Sequence, residues 1–182
     1  VGRFDPDTGA MAEYHLPPAA RPHSIVPASD GSIWYTGNSN ATIGRLDPAT
    51  GRITEYPTQA GDPHTAVFHP NGKLYFTAQH AGMLGRLDPD TGEADEVETR
   101  RRPYGIKVGP DDRLWVAYNG TNAIGAIFSD AETLQRTLGT AFGDTVRTDA
   151  IGAIFGYAET LQRALGTTFG DTVRAYTIGT IF

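Results

Sequence analysis

The stretch IGRLDPATG at residues 43–51 decides the fold, because the chain repeats it at a fixed spacing. VGRFDPDTG begins at Val1 and LGRLDPDTG begins at Leu84, which gives separations of 42 and 41 residues, and a degenerate copy, IGAIF, begins at Ile124. Two further columns keep the same register: Pro22-His23, Pro63-His64 and Pro103-Tyr104 form one, and WYT (34–36), YFT (75–77) and WVA (115–117) form the other. A period of this length indicates an architecture in which each repeat is one supersecondary unit.

Each unit of the repeat predicts four short β-strands. In the second whole unit we place them at 65–68, 73–77, 83–87 and 94–98. The turn Pro70-Asn71-Gly72 separates the first two strands, since Asn and Gly accept the positive φ that tight hairpins need. The turn Asp88–Gly92 separates the last two. Four antiparallel strands per unit are typical of a β-propeller blade, and the placement of Pro and Gly argues against helical repeats.

The prediction is therefore an all-β protein, a partial β-propeller of four-stranded antiparallel blades over residues 1–127. Its blade repeats lie near 1–20, 21–60, 61–100 and 101–127. This amounts to about three to three and a half blades, whereas propellers usually close with about four to eight. The ring is incomplete, so missing blades, another chain or the C-terminal segment would have to cover its two end faces.

Residues 128–182 follow a different period of 27, seen in IGAIF at 124, IGAIF at 151 and IGTIF at 178. Apolar side chains recur every four residues, which favours helix, at Leu134, Leu138, Phe142 and Val146. Helices packed along small-xxx-small ridges are one interpretation, and a tandem duplication without an evolved site is the other. We favour the second, because the segment has no His, Lys or Cys. We expect a repeat tail rather than a functional domain.

Composition excludes several classes of protein. The 182 residues carry a net charge of −6, and we interpret the one basic run, Arg100-Arg101-Arg102, as a solvated loop rather than a nucleic-acid footprint. The absence of cysteine excludes disulfides, thiolate metal sites and a cysteine nucleophile. No apolar run approaches the roughly 20 residues of a membrane helix, and the start at Val1 carries no signal peptide. We expect a soluble protein, cytoplasmic if the full-length protein lacks a signal peptide.

Equivalent positions of successive blades lie at one level around a propeller axis, so His23, His64 and Tyr104 should meet at the start of three innermost strands. Two imidazoles and a phenol at one pore mouth would provide a proton acceptor and proton donors. The alternative is that Pro-His merely leads each loop into its strand. His15 and His69 fall outside this column, and we predict that both are exposed.

Asp62, Gln79 and His80 are secondary candidates near the same mouth. Asp62 precedes His64 by two residues, and Gln79 ends the second strand of that blade and is followed by His80. A carboxylate and an amide oxygen can share Mg²⁺, which prefers oxygen ligands. The alternative is that Asp62 is a solvated turn residue. No G-x-S-x-G, H-E-x-x-H or phosphate-binding loop supports a hydrolase, zincin or nucleotide site.

Residues 43–58 and 72–92, together with the Pro-His and Pro-Tyr-Gly columns, resemble the virginiamycin B lyase (streptogramin lyase) family over about residues 1–127. The resemblance implies a seven-bladed propeller that opens a cyclic depsipeptide at its ester bond by elimination, with Mg²⁺ and a histidine base. Arg21-Pro22-His23 and Pro103-Tyr104-Gly105 match columns of the family. Asp62-Pro63-His64 resembles its Glu-Pro-His, with Asp for Glu, and Gln79 stands where the family has a second metal-binding Glu.

The resemblance implies a role for each candidate. His64 and His23 would be catalytic, Tyr104 and His80 would bind substrate, and Asp62 with Gln79 would be weak ligands of Mg²⁺. The partner would be a small-molecule ester or cyclic peptide, and a homo-oligomer would complete the ring.

Two other functions stay open. A non-catalytic propeller that binds a ligand or a protein is favoured by Gln79 and by the incomplete ring. A calcium propeller like the sugar lactonases ranks last, because it needs more axial carboxylates than the column offers.

Overall fold

The computed structural model describes residues 1–99 and 102–129, and its regular elements there are thirteen β-strands. They are β1 (Gly2–Phe4), β2 (Met11–Glu13), β3 (Pro22–Pro27), β4 (Ile33–Gly37), β5 (Thr42–Leu46), β6 (Ile53–Pro57), β7 (Pro63–Phe68), β8 (Leu74–Ala78), β9 (Met83–Leu87), β10 (Ala94–Glu98), β11 (Pro103–Val108), β12 (Arg113–Tyr118) and β13 (Ala123–Phe128). Within these two ranges, no helix has the length and apolar character needed to cross a membrane. The helix predicted in the 27-residue repeat, and the whole segment beyond residue 129, lie outside the described residues.

The strands form antiparallel meanders in which sequence neighbours pair. β3–β6 and β7–β10 are four-stranded sheets, and the described residues add the two-stranded β1–β2 and the three-stranded β11–β13. The all-β propeller class is thereby confirmed, with two whole blades between parts of two others. In the second whole blade, β9 and β10 have the predicted bounds. β7 begins at Pro63 rather than at residue 65, because Pro63 already pairs with Ala78.

The turn between β7 and β8 differs in detail from the prediction. Gly72 has a positive φ of 82°, but Asn71 is absent from the residues with positive φ in the described part of the chain. The amide of Gly72 donates to the carbonyl of His69 (2.9 Å), so the left-handed residue closes a longer loop instead of forming half of a two-residue turn. Asn71 acts through its side chain, which accepts from the Lys73 amide at 3.1 Å and donates to the Tyr75 hydroxyl at 3.0 Å.

The glycine of the IGRLDP motif is required by packing. A Cβ atom built on Gly44 would lie 2.0 Å from the ring of Tyr35, and one on Gly85 would lie 2.0 Å from the ring of Phe76. In both whole blades an aromatic ring of the second strand thus packs against the glycine of the third strand, which is its cross-strand partner. In these two blades the glycine of the motif therefore leaves room for a buried ring.

The hydrophobic core is divided into layers between neighbouring blades. One layer joins the two whole blades through Trp34, Ile43, Ala66, Leu74, Phe76 and Leu87. The next joins the second whole blade to β11–β13 through Tyr75, Leu84, Ile106, Leu114, Val116 and Tyr118. Contacts of β7 with both β3 and β11 bring the first strands of the three blades side by side. The starts of these three strands therefore lie next to one another.

The two ends of the described structure expose apolar side chains whose repeat equivalents in the interior blades are buried. Phe4 is 61% exposed, whereas Leu46 and Leu87 at the equivalent repeat positions are 1% and 0% exposed. Ile124 is 74% exposed, whereas Ile43 and Leu84 are 0% and 4% exposed. The ring is thus open within the described residues, as the repeat count predicts.

Candidate active site

The structure brings His23, His64 and Tyr104 into contact, and we call these three residues the axial column. The ring centroids of His23 and His64 are 3.5 Å apart, and those of His64 and Tyr104 are 4.3 Å apart. His23 and Tyr104 meet edge to face at 6.4 Å across the middle residue. The repeat spacing predicts this convergence, since each residue is the second of its strand, in β3, β7 and β11.

A β-bulge lies at every column position. The pairing with the second strand shifts register between Pro22 and Ile25, between Pro63 and Ala66, and between Pro103 and Ile106. A bulge turns a side chain away from the direction that regular pleating gives it, and bulges are frequent beside active sites. The bulges therefore help to orient the side chains of His23, His64 and Tyr104 toward one another.

His64 is the buried member of the column. His64 is 4% exposed, and its Nδ1 lies 3.0 Å from the Thr65 hydroxyl. Burial lowers the pKa of His64, the neighbouring His23 lowers it further, and a backbone hydrogen bond to Tyr104 and the charge of Asp62 oppose them in part. His64 is thus a neutral imidazole at pH 7, which is the form able to accept a proton.

His23 is exposed, and its orientation is fixed by the neighbouring blade. Its Nδ1 lies 3.1 Å from the carbonyl oxygen of His64, which accepts, so Nδ1 carries the hydrogen. In the neutral ring the lone pair is therefore on Nε2. Tyr104, at 42% exposed, completes the column with a phenol that reaches solvent.

Asp62 lies beside the column but binds the protein's own backbone. Its Oδ2 accepts from the His80 amide at 2.5 Å and from His80 Nδ1 at 2.9 Å, and its Oδ1 accepts from the Ala81 amide at 3.0 Å. The carboxylate thus caps the turn after β8. This interaction also holds His80 at the mouth, with its side chain 70% exposed.

Gln79, the second predicted metal ligand, is 8% exposed. In residues 1–99 and 102–129, no set of three or more His, Asp or Glu side chains is arranged to hold a metal ion. One carboxylate whose two oxygens already accept backbone hydrogen bonds, with one neutral amide, does not fit Mg²⁺ held by the protein alone. The metal roles of Asp62 and Gln79 stay predictions.

The prediction for His69 is wrong. His69 is 5% exposed; its Nε2 donates to the Asp112 carbonyl at 2.8 Å, and its Nδ1 accepts from the Asn71 amide at 3.1 Å. It therefore joins the turn of one blade to the turn of the next, a burial that an isolated loop position does not reveal. His15 is exposed, as predicted.

Two threonines that the sequence analysis left without a role contact the column. Thr36 and Thr77 are the last letters of WYT and YFT, and both are fully buried. The Thr36 hydroxyl lies 2.9 Å from the carbonyl of His64, and the Thr77 hydroxyl lies 2.8 Å from that of Tyr104. Asn38 adds a bond from its amide to the carbonyl of Pro63 at 3.2 Å. The recurrence of Thr at residues 36 and 77 is the sequence signal from which this contact with the column could have been predicted.

The fold and the column define a β-propeller with paired imidazoles and a phenol at the start of its inner strands. The chain matches the model of the Virginiamycin B lyase family over residues 1–168, and it belongs to that family. The match extends into the segment predicted as a tail, which lies outside the described residues. No curated protein sequence matches the chain.

Solved structures of virginiamycin B and streptogramin B lyases are similar to this chain. A virginiamycin B lyase from Staphylococcus aureus is 34% identical with a TM-score of 0.63, over 69% of this chain and 44% of that one. A catalytically inactive histidine-to-alanine variant from Staphylococcus aureus, with quinupristin, is 31% identical with a TM-score of 0.65, over 70% and 45%. A streptogramin B lyase is 32% identical with a TM-score of 0.63, over 67% and 42%. The chain thus spans less than half the length of these relatives.

More distant structures share the fold alone. The extracellular domain of a one-component system from B. thetaiotaomicron is 14% identical with a TM-score of 0.60, over 70% of this chain and 17% of that one.

Proposed function

We propose that the axial column binds a cyclic depsipeptide, or a related ester, and opens it by elimination. The single observation that supports this most is the contact of a buried, neutral His64 with both His23 and Tyr104. A general base has to be unprotonated at the working pH and within reach of its proton. The family to which the chain belongs is named for such a lyase.

In this reaction His64 accepts the proton from the carbon α to a carbonyl of the substrate. The electrons of that C–H bond form a carbon–carbon double bond, and the bond between the neighbouring carbon and the ester oxygen breaks. The ester leaves as a carboxylate, and no water is added. His23 and the exposed phenol of Tyr104 orient the substrate, and His80 lines the same mouth.

Mg²⁺ is a separate part of the proposal, and no step above depends on it. When bound, the ion would polarise the ester. Because the oxygens of Asp62 already accept backbone hydrogen bonds, substrate oxygens and water would have to supply most of its ligands. Removal of the metal with EDTA and return of Mg²⁺ would test this requirement.

The deciding experiment incubates the 182-residue chain with quinupristin and follows the product by mass spectrometry and tandem fragmentation. We expect a linear product of unchanged mass with one new double bond. His64→Asn should lower turnover by about 100-fold or more, as loss of a general base does, while the exposed control His15→Asn should not. A product heavier by one water would mean hydrolysis and would refute elimination.

A non-catalytic propeller that binds a ligand is the second candidate. The observation in its favour is that both oxygens of Asp62 are taken by the turn after β8. It predicts that quinupristin binds and is recovered intact, and that His64→Asn leaves this binding unchanged.

A further inference from the structure

We propose that Thr36 and Thr77 are positioning residues that hold the axial column in place from the neighbouring blade, an inference that rests on the proposed function of that column. Each is the buried threonine of a second strand, β4 or β8. Each hydroxyl connects a bulge in its own blade to a column residue of the next blade.

Thr36 acts on His64. Its hydroxyl oxygen accepts from the amide of Ser24 at 3.0 Å, inside the bulge of β3, and its hydrogen is donated to the carbonyl of His64 at 2.9 Å. The same carbonyl accepts from Nδ1 of His23 at 3.1 Å. Two donors of one blade therefore hold the backbone of the buried histidine in the next.

Thr77 repeats this arrangement one blade further. Its hydroxyl oxygen accepts from the amide of Thr65 at 3.2 Å, inside the bulge of β7, and it donates to the carbonyl of Tyr104 at 2.8 Å. The recurrence, with the same donor, acceptor and bulge, shows a built feature rather than a chance contact.

The third blade has no such threonine. Ala117 stands where the two preceding blades have Thr36 and Thr77, and it has no hydroxyl to donate. The two threonines thus reach the column residues that follow them, His64 and Tyr104, and these carry the base and the phenol of the proposed site.

Removing a hydroxyl here has an effect beyond stability. In Thr36→Val the volume stays nearly the same, but the Ser24 amide loses its acceptor and the His64 carbonyl loses one of two donors. The strand can then restore these bonds only by moving, and a displacement of about 1 Å at a reacting group can cost about 100-fold in rate. The threonine therefore contributes to the geometry of His64 without touching the substrate.

The test compares Thr36→Val with Thr36→Ser and with the matched control Thr42→Val in the full chain. Thr42 is also half-buried or more and also donates, but its bonds go to Asn40 (2.8 Å) and Glu55 (3.2 Å) of its own blade. The first readout is the NMR titration of the His64 ring, assigned with His64→Asn, and the second is turnover of quinupristin.

We expect Thr36→Val to shift the His64 titration and to lower turnover about tenfold or more, and Thr36→Ser to restore both. Thr42→Val should lower only the free energy of unfolding. If Thr36→Val behaves like Thr42→Val in both readouts, the positioning role is refuted.

The two proposals can fail separately. If the wild-type chain does not turn over quinupristin, the proposed function fails, but the shift of the His64 titration still decides whether Thr36 positions the column. If turnover is present and the titration does not respond to Thr36→Val, only the positioning role fails.

Discussion

At the scale of the residue, the chemistry is concentrated in His64. The Pro-His pair sets it at the beginning of an inner strand, and the neighbouring blades then bury it to 4% exposure. Burial disfavours the charged imidazolium, so the pKa of His64 is lowered. The same burial that prepares His64 as a base therefore makes the folded protein sensitive to acid.

We predict that the free energy of unfolding falls as the pH falls below about 6.5, the ordinary pKa of histidine in the unfolded chain. Because the folded pKa of His64 lies below that value, protons bind the unfolded state more readily. The contribution of His64 to the free energy of unfolding is complete when the pH is above the pKa that His64 has in the unfolded chain. It is lost as the pH falls through the lower pKa that His64 has in the folded protein. Urea unfolding at pH 8, 6.5 and 5 measures it.

His64→Asn should flatten this pH dependence, while His15→Asn, at an exposed histidine, should leave it unchanged. His23, Asp62 and His80 act electrostatically on His64, and they stay in place in both variants. An equal slope in wild type and His64→Asn would show that other groups carry the acid sensitivity.

At the scale of the element, the repeated motif encodes how one strand fits against another. The glycine of IGRLDP leaves room for an aromatic ring of the preceding strand. The threonine that is the last residue but one of β4 or β8 connects neighbouring blades. Each of the two whole blades thus contains one feature for its own packing and one for its attachment to the next blade.

We predict that Gly44→Ala destabilises the chain by about 1–3 kcal/mol, the range for overpacking a close-packed interior. Its new methyl carbon would lie 2.0 Å from the buried ring of Tyr35, which has to move. Gly61→Ala is the control, because nothing lies within 4 Å of its added carbon and its φ is not positive. Equal urea midpoints for the two variants would contradict the assignment.

At the scale of the whole molecule, the described residues form a partial ring with two uncovered end faces, whereas the equivalent faces between interior blades are buried. Phe4 at one end and Ile124 at the other are mostly exposed, although their repeat equivalents are buried. A face of this kind is normally covered by the next blade. The repeat count predicts a second copy as one way to supply it.

We predict that the chain associates through these faces, giving a mass of at least twice the 19.5 kDa of one chain by sedimentation equilibrium. Ile124→Lys should lower the measured mass toward one chain, because it places a charge on the apolar end face. Ser29→Lys, at an exposed turn residue, is the control. A wild-type mass of one chain would exclude a second copy as the cover.

The sequence by itself determined the blade and the column. The spacing of about 41 residues placed β9 and β10 and brought His23, His64 and Tyr104 together, because a propeller repeats its geometry with its sequence. Gly72 and Gly92 also marked turn residues with positive φ. Periodic patterns predict these features well, since equivalent residues have equivalent neighbours.

The tertiary structure decided which hydrogen-bond partner each polar side chain has. It turned Asp62 toward the amides of His80 and Ala81, buried His69 between two turns, and set Thr36 against the carbonyl of His64. These contacts join residues of neighbouring blades or of distant loops, and their partners depend on distances of a few tenths of an ångström. A repeat pattern specifies which positions are equivalent, but only the packed blades determine which donor reaches which acceptor.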